Sequence, residues 1–348
     1  MSGQRGRLLA GAALAALLLF LFFRGIDWAA LARALREARP WPLAGIALVT
    51  VAVYAARAWR WGDLLLPLGR VPFADLFSAT MVGFASALLI PRAGELLRPW
   101  LVSRRHPIPT SAGFATIILE RLVDLVTVLV LFAVYLFLLP PPAAQVEGRL
   151  TDLLKVGGAA TGLVALAVLA FLLGLHANAD RVVAVCERAL ARAPRWLAEP
   201  LGRVLHSFSA GLAVLRAPLP HLARIGLQSL LVWLLIALGF HLNHAAFRID
   251  LPFHATFLLV AFLVVGVSIP TPGMVGGFHA FYLICLNQVY GVDRATAAAA
   301  GIAAHALTNM PILVFGLALL GREGLSLGRV AHVASGASEM KPLPEVRP

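Results

Sequence analysis

The sequence predicts an all-α, polytopic membrane helix bundle, and three observations lead there. Of 348 residues, 60% are hydrophobic and only 13% are charged. The mean hydropathy is +0.86, whereas a soluble domain carries about 25% charged residues. Proline- and glycine-rich breaks interrupt two of the apolar runs, and arginines flank the runs. The expected layout is about six full spans plus two opposed re-entrant helical hairpins, forming a pseudo inverted repeat. Residues 1–321 would be the integral membrane domain and residues 322–348 a polar C-terminal tail.

Taken in order, Arg5 and Arg7 precede an apolar stretch at 8–23. No small-x-small cleavage site follows, so the stretch reads as an uncleaved first span rather than a signal peptide. Residues 24–40 set Trp28, Leu31 and Leu35 among arginines, the pattern of an interfacial amphipathic helix. Span two covers 41–61 and ends in Arg57, Trp59, Arg60 and Trp61, read as an interface belt. Residues 73–104 form the first hairpin: an apolar run meets Pro91-Arg92-Ala93-Gly94-Glu95, and a short arm follows with Arg98. Residues 110–139 form a long span holding Glu120, Arg121 and Asp124, stopped by Pro140–Pro142.

A span at 156–175 comes next, then basic amphipathic surface helices at 176–221 and a span at 222–246. The second hairpin, 254–290, turns at Pro270-Thr271-Pro272-Gly273-Met274-Val275-Gly276-Gly277-Phe278-His279. Each of its arms falls short of the about 20 apolar residues a spanning helix needs. Two prolines and three glycines cannot continue a helix. The freed backbone groups must be buried in protein or line a wet cavity. A last span covers 295–320.

Arginine and lysine placement sets orientation. With both termini cytoplasmic, twenty basic residues lie inside and eight outside, and Arg121 stays in the membrane. The hairpins then enter from opposite faces. Residues 41–139 and 222–320 become two repeats of span, hairpin, span, the pattern of alternating-access transporters. The net charge of +12 could suggest nucleic acid. Because the arginines flank apolar runs, the membrane surface is the expected partner and nucleic acid is not.

The candidate site residues are Arg92, Glu95, Arg98, Glu120, Arg121, Asp124, Pro272, Gly273, Gly276 and His279. Arg92, Glu95 and Arg98 share a helical face. They read as receivers of an anionic head group, with Glu95 positioning the arginines, or as interfacial anchors. Ions in hydrocarbon are costly, from ~2.5 kcal/mol upward, so Glu120, Arg121 and Asp124 must pair or face a wet cavity. They form a polar cavity wall or a structural ion pair, for example Glu120 with Arg92. His279 follows the second tip and reads as a titratable cavity residue. His241, His244 and His305 read as interhelical hydrogen-bonding groups. Gly273, Gly276 and Gly277 permit tight packing, and close backbone approach also leaves N–H groups able to bind a phosphate. No metal-ligand spacing appears among the histidines or the two cysteines, Cys186 and Cys285. No nucleotide-binding loop of the form G-x-x-x-x-G-K-[ST] is present, so no cofactor is expected.

Pro91-Arg92-Ala93-Gly94-Glu95 with Arg98, then Glu120-Arg121-x-x-Asp124, then Pro270-x-Pro272-Gly273-x-x-Gly276, resemble the membrane domain of lysylphosphatidylglycerol synthases, a flippase-like family that also occurs without the synthase domain. The resemblance runs over roughly residues 8–320. It implies a lipid-translocating module in the cell inner membrane with its site at the broken helices, and it does not imply lysyl transfer. Many members carry a glutamate where His279 stands, which suits a more anionic lipid here. The function expected is movement of a lipid or amphipathic substrate between leaflets, by a non-enzymatic protein. The alternatives are an intramembrane transferase acting on a lipid-linked substrate and a non-catalytic subunit of an envelope-synthesis complex.

Overall fold

In the computed structural model, the described residues are 2–138 without 91–92, and 209–330 without 270 and 327, together with the single positions 163, 167, 170, 174, 188 and 202. The expected span at 156–175, most of the surface helices at 176–221, Arg92, Pro270 and most of the C-terminal tail lie outside them. Within them the chain is helical, with no strand.

Helix α1 (Ser2–Phe23) turns through 89° into α2 (Trp28–Glu37). Asp27 sets that corner, because its carboxylate accepts from the backbone N–H groups of Ala29 and Ala30 at 2.9 and 3.1 Å. A right-angle bend fits the expectation that 24–40 lies across the first span. Helix α3 (Pro40–Leu65) follows, opened by Pro40 in its first turn. The first hairpin is α4 (Phe73–Leu89) and α5 (Ala93–Ser103). Helix α6 (Thr110–Leu138) has 29 residues, about 43 Å of helix. Helix α7 (Leu219–Ala246) leads to the second hairpin, α8 (Ala255–Ser268) and α9 (Gly277–Leu283). Between its arms lies a single turn, Pro272–Met274, and α9 runs on through a wide turn to Val289. Helix α10 (Arg294–Arg322) ends the described bundle. Among these, α3, α7 and α10 are long and apolar enough to cross a bilayer, and α1 with α2 forms a bent pair of the same character.

Glycine determines how each hairpin closes. Gly83 of α4 and Gly94 of α5 meet so tightly that a Cβ on Gly94 would overlap the carbonyl of Gly83. Gly266 of α8 and Gly277 of α9 meet in the same way. Without a hydrophobic drive between helices in lipid, such backbone approach supplies the van der Waals contact that holds them. The next step repeats too. Pro99 of α5 packs on Gly113 of α6, and Tyr282 of α9 packs on Gly301 of α10.

The two sets of helices interlock reciprocally. Helix α4 packs on α10 and α8 on α6; α3 packs on α10 and α7 on α6. The seam between them is α3 against α7, which run antiparallel. Gly45 lies beside Leu242 near one end, Val53 beside Val232 midway, and Asp63 bonds Arg224 and Gln228 at the other end. Helix α4 therefore starts at the Asp63 end of the seam and α8 at the opposite end. The hairpins enter from opposite ends, as the sequence predicts.

Two tips meet near the middle. Gly273 lies against the carbonyl of Leu88, and Met274 packs with Ala85, Leu88 and Ile312. Gly273 and Met274 both take a left-handed backbone, φ 63° and 57°, and Gly276 has φ 90°. Gly276 also abuts α1 at Ala15 and Leu18, leaving no room for a side chain.

Candidate functional site

Six charged side chains converge where α3, α5 and α6 face one another. Arg98 of α5 donates from both terminal nitrogens to the two carboxylate oxygens of Glu120, each at 3.0 Å. This fork-on-fork geometry is the strongest form of such a pair. One turn along α6, Asp124 accepts from Arg60 at 2.6 Å, Arg57 at 3.1 Å and the indole N–H of Trp233 at 3.0 Å. Arg60 also donates to Ser229 at 2.7 Å and stands 3.5 Å from Glu120. Glu120 and Arg60 are fully buried, and Arg98 is 1% exposed. Isolated, any of these charges would be strongly disfavoured; in a mutual network each carboxylate oxygen meets a donor.

Aromatic rings supply the remaining surface. Phe84 of α4 is ringed by three guanidiniums, those of Arg57, Arg98 and Arg121, at 5.4, 5.5 and 5.6 Å from its centroid. Arg98 also lies over Trp61 at 4.4 Å. Each contact favours a cation in a desolvated setting.

Next to this network is a cavity of about 100 Å³, lined by Gly83, Phe84, Ala87, Gly94, Glu95, Arg98 and Arg121. Arg121 is the odd member of the cluster. Its guanidinium is 3.9 Å from Asp124, outside hydrogen-bonding distance, and its side chain is 43% exposed. Arg98 keeps one donor unused, because its Nε is buried without a hydrogen-bond partner. Glu95 is half-buried and forms no ion pair among the described residues.

The sequence-derived residues of the first half thus gather at one place, with corrections. Glu95 does not position Arg98; Glu120 does. Glu120 pairs with Arg98; its suggested partner Arg92 lies outside the described residues. Arg121, three residues before Asp124 on α6, meets it only loosely, because Arg57 and Arg60 occupy that carboxylate. Arg57, Arg60 and Trp61, read as an interface belt, are buried in the network. Burial removes Arg57, Arg60 and Arg98 from the surface arginines used to orient the chain.

The second half is different. Pro272 is exposed, and Gly273 and Gly276 shape the tip. The backbone N–H groups of Met274 and Val275 donate to Thr271 and Pro272, and that of Gly276 faces Nδ1 of His279 at 3.5 Å. These donors are engaged locally, which leaves them unavailable to a phosphate. His279 is buried, edge-on to Phe22 at 5.3 Å and 4.6 Å from the His305 ring. His305 bonds the Gly273 carbonyl at 2.9 Å. Neither His279 nor the tip residues line the cavity beside Arg98. Among the other histidines, His244 is buried with both ring nitrogens unpartnered, against the expectation of an interhelical bond. The described residues contain no cluster of three or more metal-ligating side chains.

Sequence reasoning missed Arg57, Arg60, Phe84, Ser229 and Trp233. Arg57 and Arg60 carried a usable signal, since they lie at i and i+3 of an apolar helix and α6 holds two carboxylates that need partners.

A comparison with known proteins finds one curated relative, named Glycosyltransferase AglD, from Haloferax volcanii. It is 26% identical over 348 aligned residues, covering 93% of this chain and 55% of the relative. The chain therefore spans about half the length of that protein. The family model described as the lysylphosphatidylglycerol synthase TM region matches residues 8–316. That match covers nearly the whole chain, all of the charged network and both hairpins, so this multi-pass membrane protein belongs to the family of the lysylphosphatidylglycerol synthase transmembrane region.

Proposed function

We propose that the protein moves a lipid with an anionic head group between the leaflets of the cell inner membrane, with both termini cytoplasmic. The carrying observation is the cavity beside the first hairpin, which is lined both by Arg98, whose buried Nε–H has no partner, and by Arg121, whose half-exposed guanidinium forms no hydrogen bond among the described residues. A buried donor without an acceptor is costly, and an anionic oxygen satisfies it. Repeats over 41–139 and 222–320, inserted from opposite ends, supply the frame on which alternating access operates.

The test is leaflet transfer of a fluorescent anionic phospholipid in vesicles reconstituted with the full chain. Arg121→Ala should transfer at the protein-free rate while inserting and melting as wild type does. Wild-type transfer in that variant removes Arg121 from the path.

A second reading, an intramembrane transferase acting on a lipid-linked substrate, is favoured by the name of the Haloferax volcanii relative, a glycosyltransferase. In that reading Glu95, at the cavity wall, serves as the base. Appearance of a modified lipid in vesicles supplied with candidate donors supports it.

A further inference from the structure

We infer that α2 and the first turn of α3 form a docking surface for anionic lipids of the surrounding bilayer, in the leaflet where the second hairpin enters. None of the residues lining the cavity beside Arg98 lies on α2, so this surface is separate from that site.

The helix divides into two faces. Leu31 is buried, and Ala30, Ala34 and Ala38 pack with it on the core of the second half. The other face is open. Trp28 and Leu35, seven residues apart, share one flank of it, and Arg33 stands on the opposite flank with Arg36 between. Because α1 and α2 meet at 89°, a crossing α1 lays α2 along the membrane surface. Trp28 stacks on Phe23 at 5.1 Å and is 59% exposed, and Trp41 in the first turn of α3 is 85% exposed. Indoles of this kind belong at the head-group level. The backbone N–H of Arg39 donates to the Ala246 carbonyl, which sets this corner at the end of the bundle where α8 begins.

Charge names the occupant. Arg24, Arg33, Arg36 and Arg39 are exposed and form no ion pair among the described residues. The nearby carboxylates are Glu37 and Asp27, and Asp27 is committed to the start of α2. A surplus of positive charge therefore faces the leaflet. Guanidiniums fork onto phosphate oxygens. An acidic soluble protein would match the arginines but leave Trp28 and Leu35 uncovered on the far flank. An anionic lipid covers both, with phosphate against the arginines and chain against the apolar flank. The corner is tied inward as well: Arg294 at the start of α10 donates to the Arg24 carbonyl at 3.0 Å, and α1 abuts the second tip at Gly276. Helix α2 thus joins the bilayer surface to the helix that meets that tip.

The experiment uses the full chain in a cysteine-free background, with Leu35→Cys carrying a bimane fluorophore, reconstituted in phosphatidylcholine vesicles. Phosphatidylglycerol or phosphatidylcholine brominated on its chains is included at equal mole fraction, and quenching reports which lipid sits beside α2. Phosphatidylglycerol should be favoured about fivefold, the scale of one arginine held at an anionic surface. The preference should fall to about one in Arg33→Gln/Arg36→Gln/Arg39→Gln, and also at ~1 M salt, where the screening length is about 3 Å. It should survive in Arg33→Lys/Arg36→Lys/Arg39→Lys. Equal quenching by the two lipids in wild type, or a preference that outlasts the glutamine triple or the salt, overturns the arginine contact. Loss of the preference in the lysine triple overturns charge as its cause. Quenching by neither lipid overturns the lipid occupant and leaves the surface to a protein partner.

Discussion

Replacing Glu120 by glutamine removes one of two carboxylates shared by three buried guanidiniums. Arg98 loses its two-pronged acceptor, and Arg60 loses the second oxygen 3.5 Å away. Breaking a buried pair by removing one partner costs about 3–5 kcal/mol, because the other charge is left uncompensated. For a chain of this size that corresponds to a fall in Tm of about 4–7 °C. Arg121→Ala acts on the same cluster, but its side chain is 43% exposed and only loosely tied to Asp124. Its stability change should stay within about 1 kcal/mol. Thermal melting of both variants in detergent, beside the reconstituted transfer assay, separates architecture from ligand contact. Adding Arg98→Met to Glu120→Gln should recover part of the loss, since the orphaned cation is gone and a neutral side chain of similar length fills its place. A Glu120→Gln protein melting within about 2 °C of wild type would refute the reasoning, because a buried ion-pair network cannot lose a carboxylate at so small a cost.

Other outcomes follow from the packing. Gly94→Ala and Gly277→Ala each force a methyl onto the facing glycine carbonyl, so each should destabilise by about 1–3 kcal/mol, checked by melting and yield. In a cysteine-free background, cysteines at the exposed positions Arg70 and Arg248 should label from opposite compartments, and labelling from one side alone would dissolve the opposed-hairpin arrangement. Phe84→Leu takes away the ring shared by three guanidiniums and should lower Tm while leaving cysteine topology unchanged, a loss of about 1–3 kcal/mol overall.

Much of this was legible from residue pattern. Prolines and glycines inside apolar runs too short to span gave both hairpins, and the charged residues of α6, Glu120, Arg121 and Asp124, gave half of the charged network. The partners were harder to find. Arg57 and Arg60 follow an apolar run beside two tryptophans, a pattern shared by interface belts, and only the tertiary approach of α6 makes them core. The clearest trace of the repeat went unread as well. Gly83 and Gly94 stand eleven residues apart, as do Gly266 and Gly277, and each pair closes its hairpin. Little else between the halves is alike in residue identity, so the shared element is a backbone requirement and not a side-chain one. His279 was legible as a special position but not for its neighbours, because Phe22 and His305 arrive from the two ends of the sequence.

The abutment of Met274 and Gly273 on Leu88 ties the second tip to the far end of α4. The same helix carries Gly83, Phe84 and Ala87 of the cavity wall. Any slide of the second tip is therefore transmitted to the wall that Arg98 and Arg121 border. The left-handed backbone at Gly273 and Met274 is the joint about which such a slide would swing.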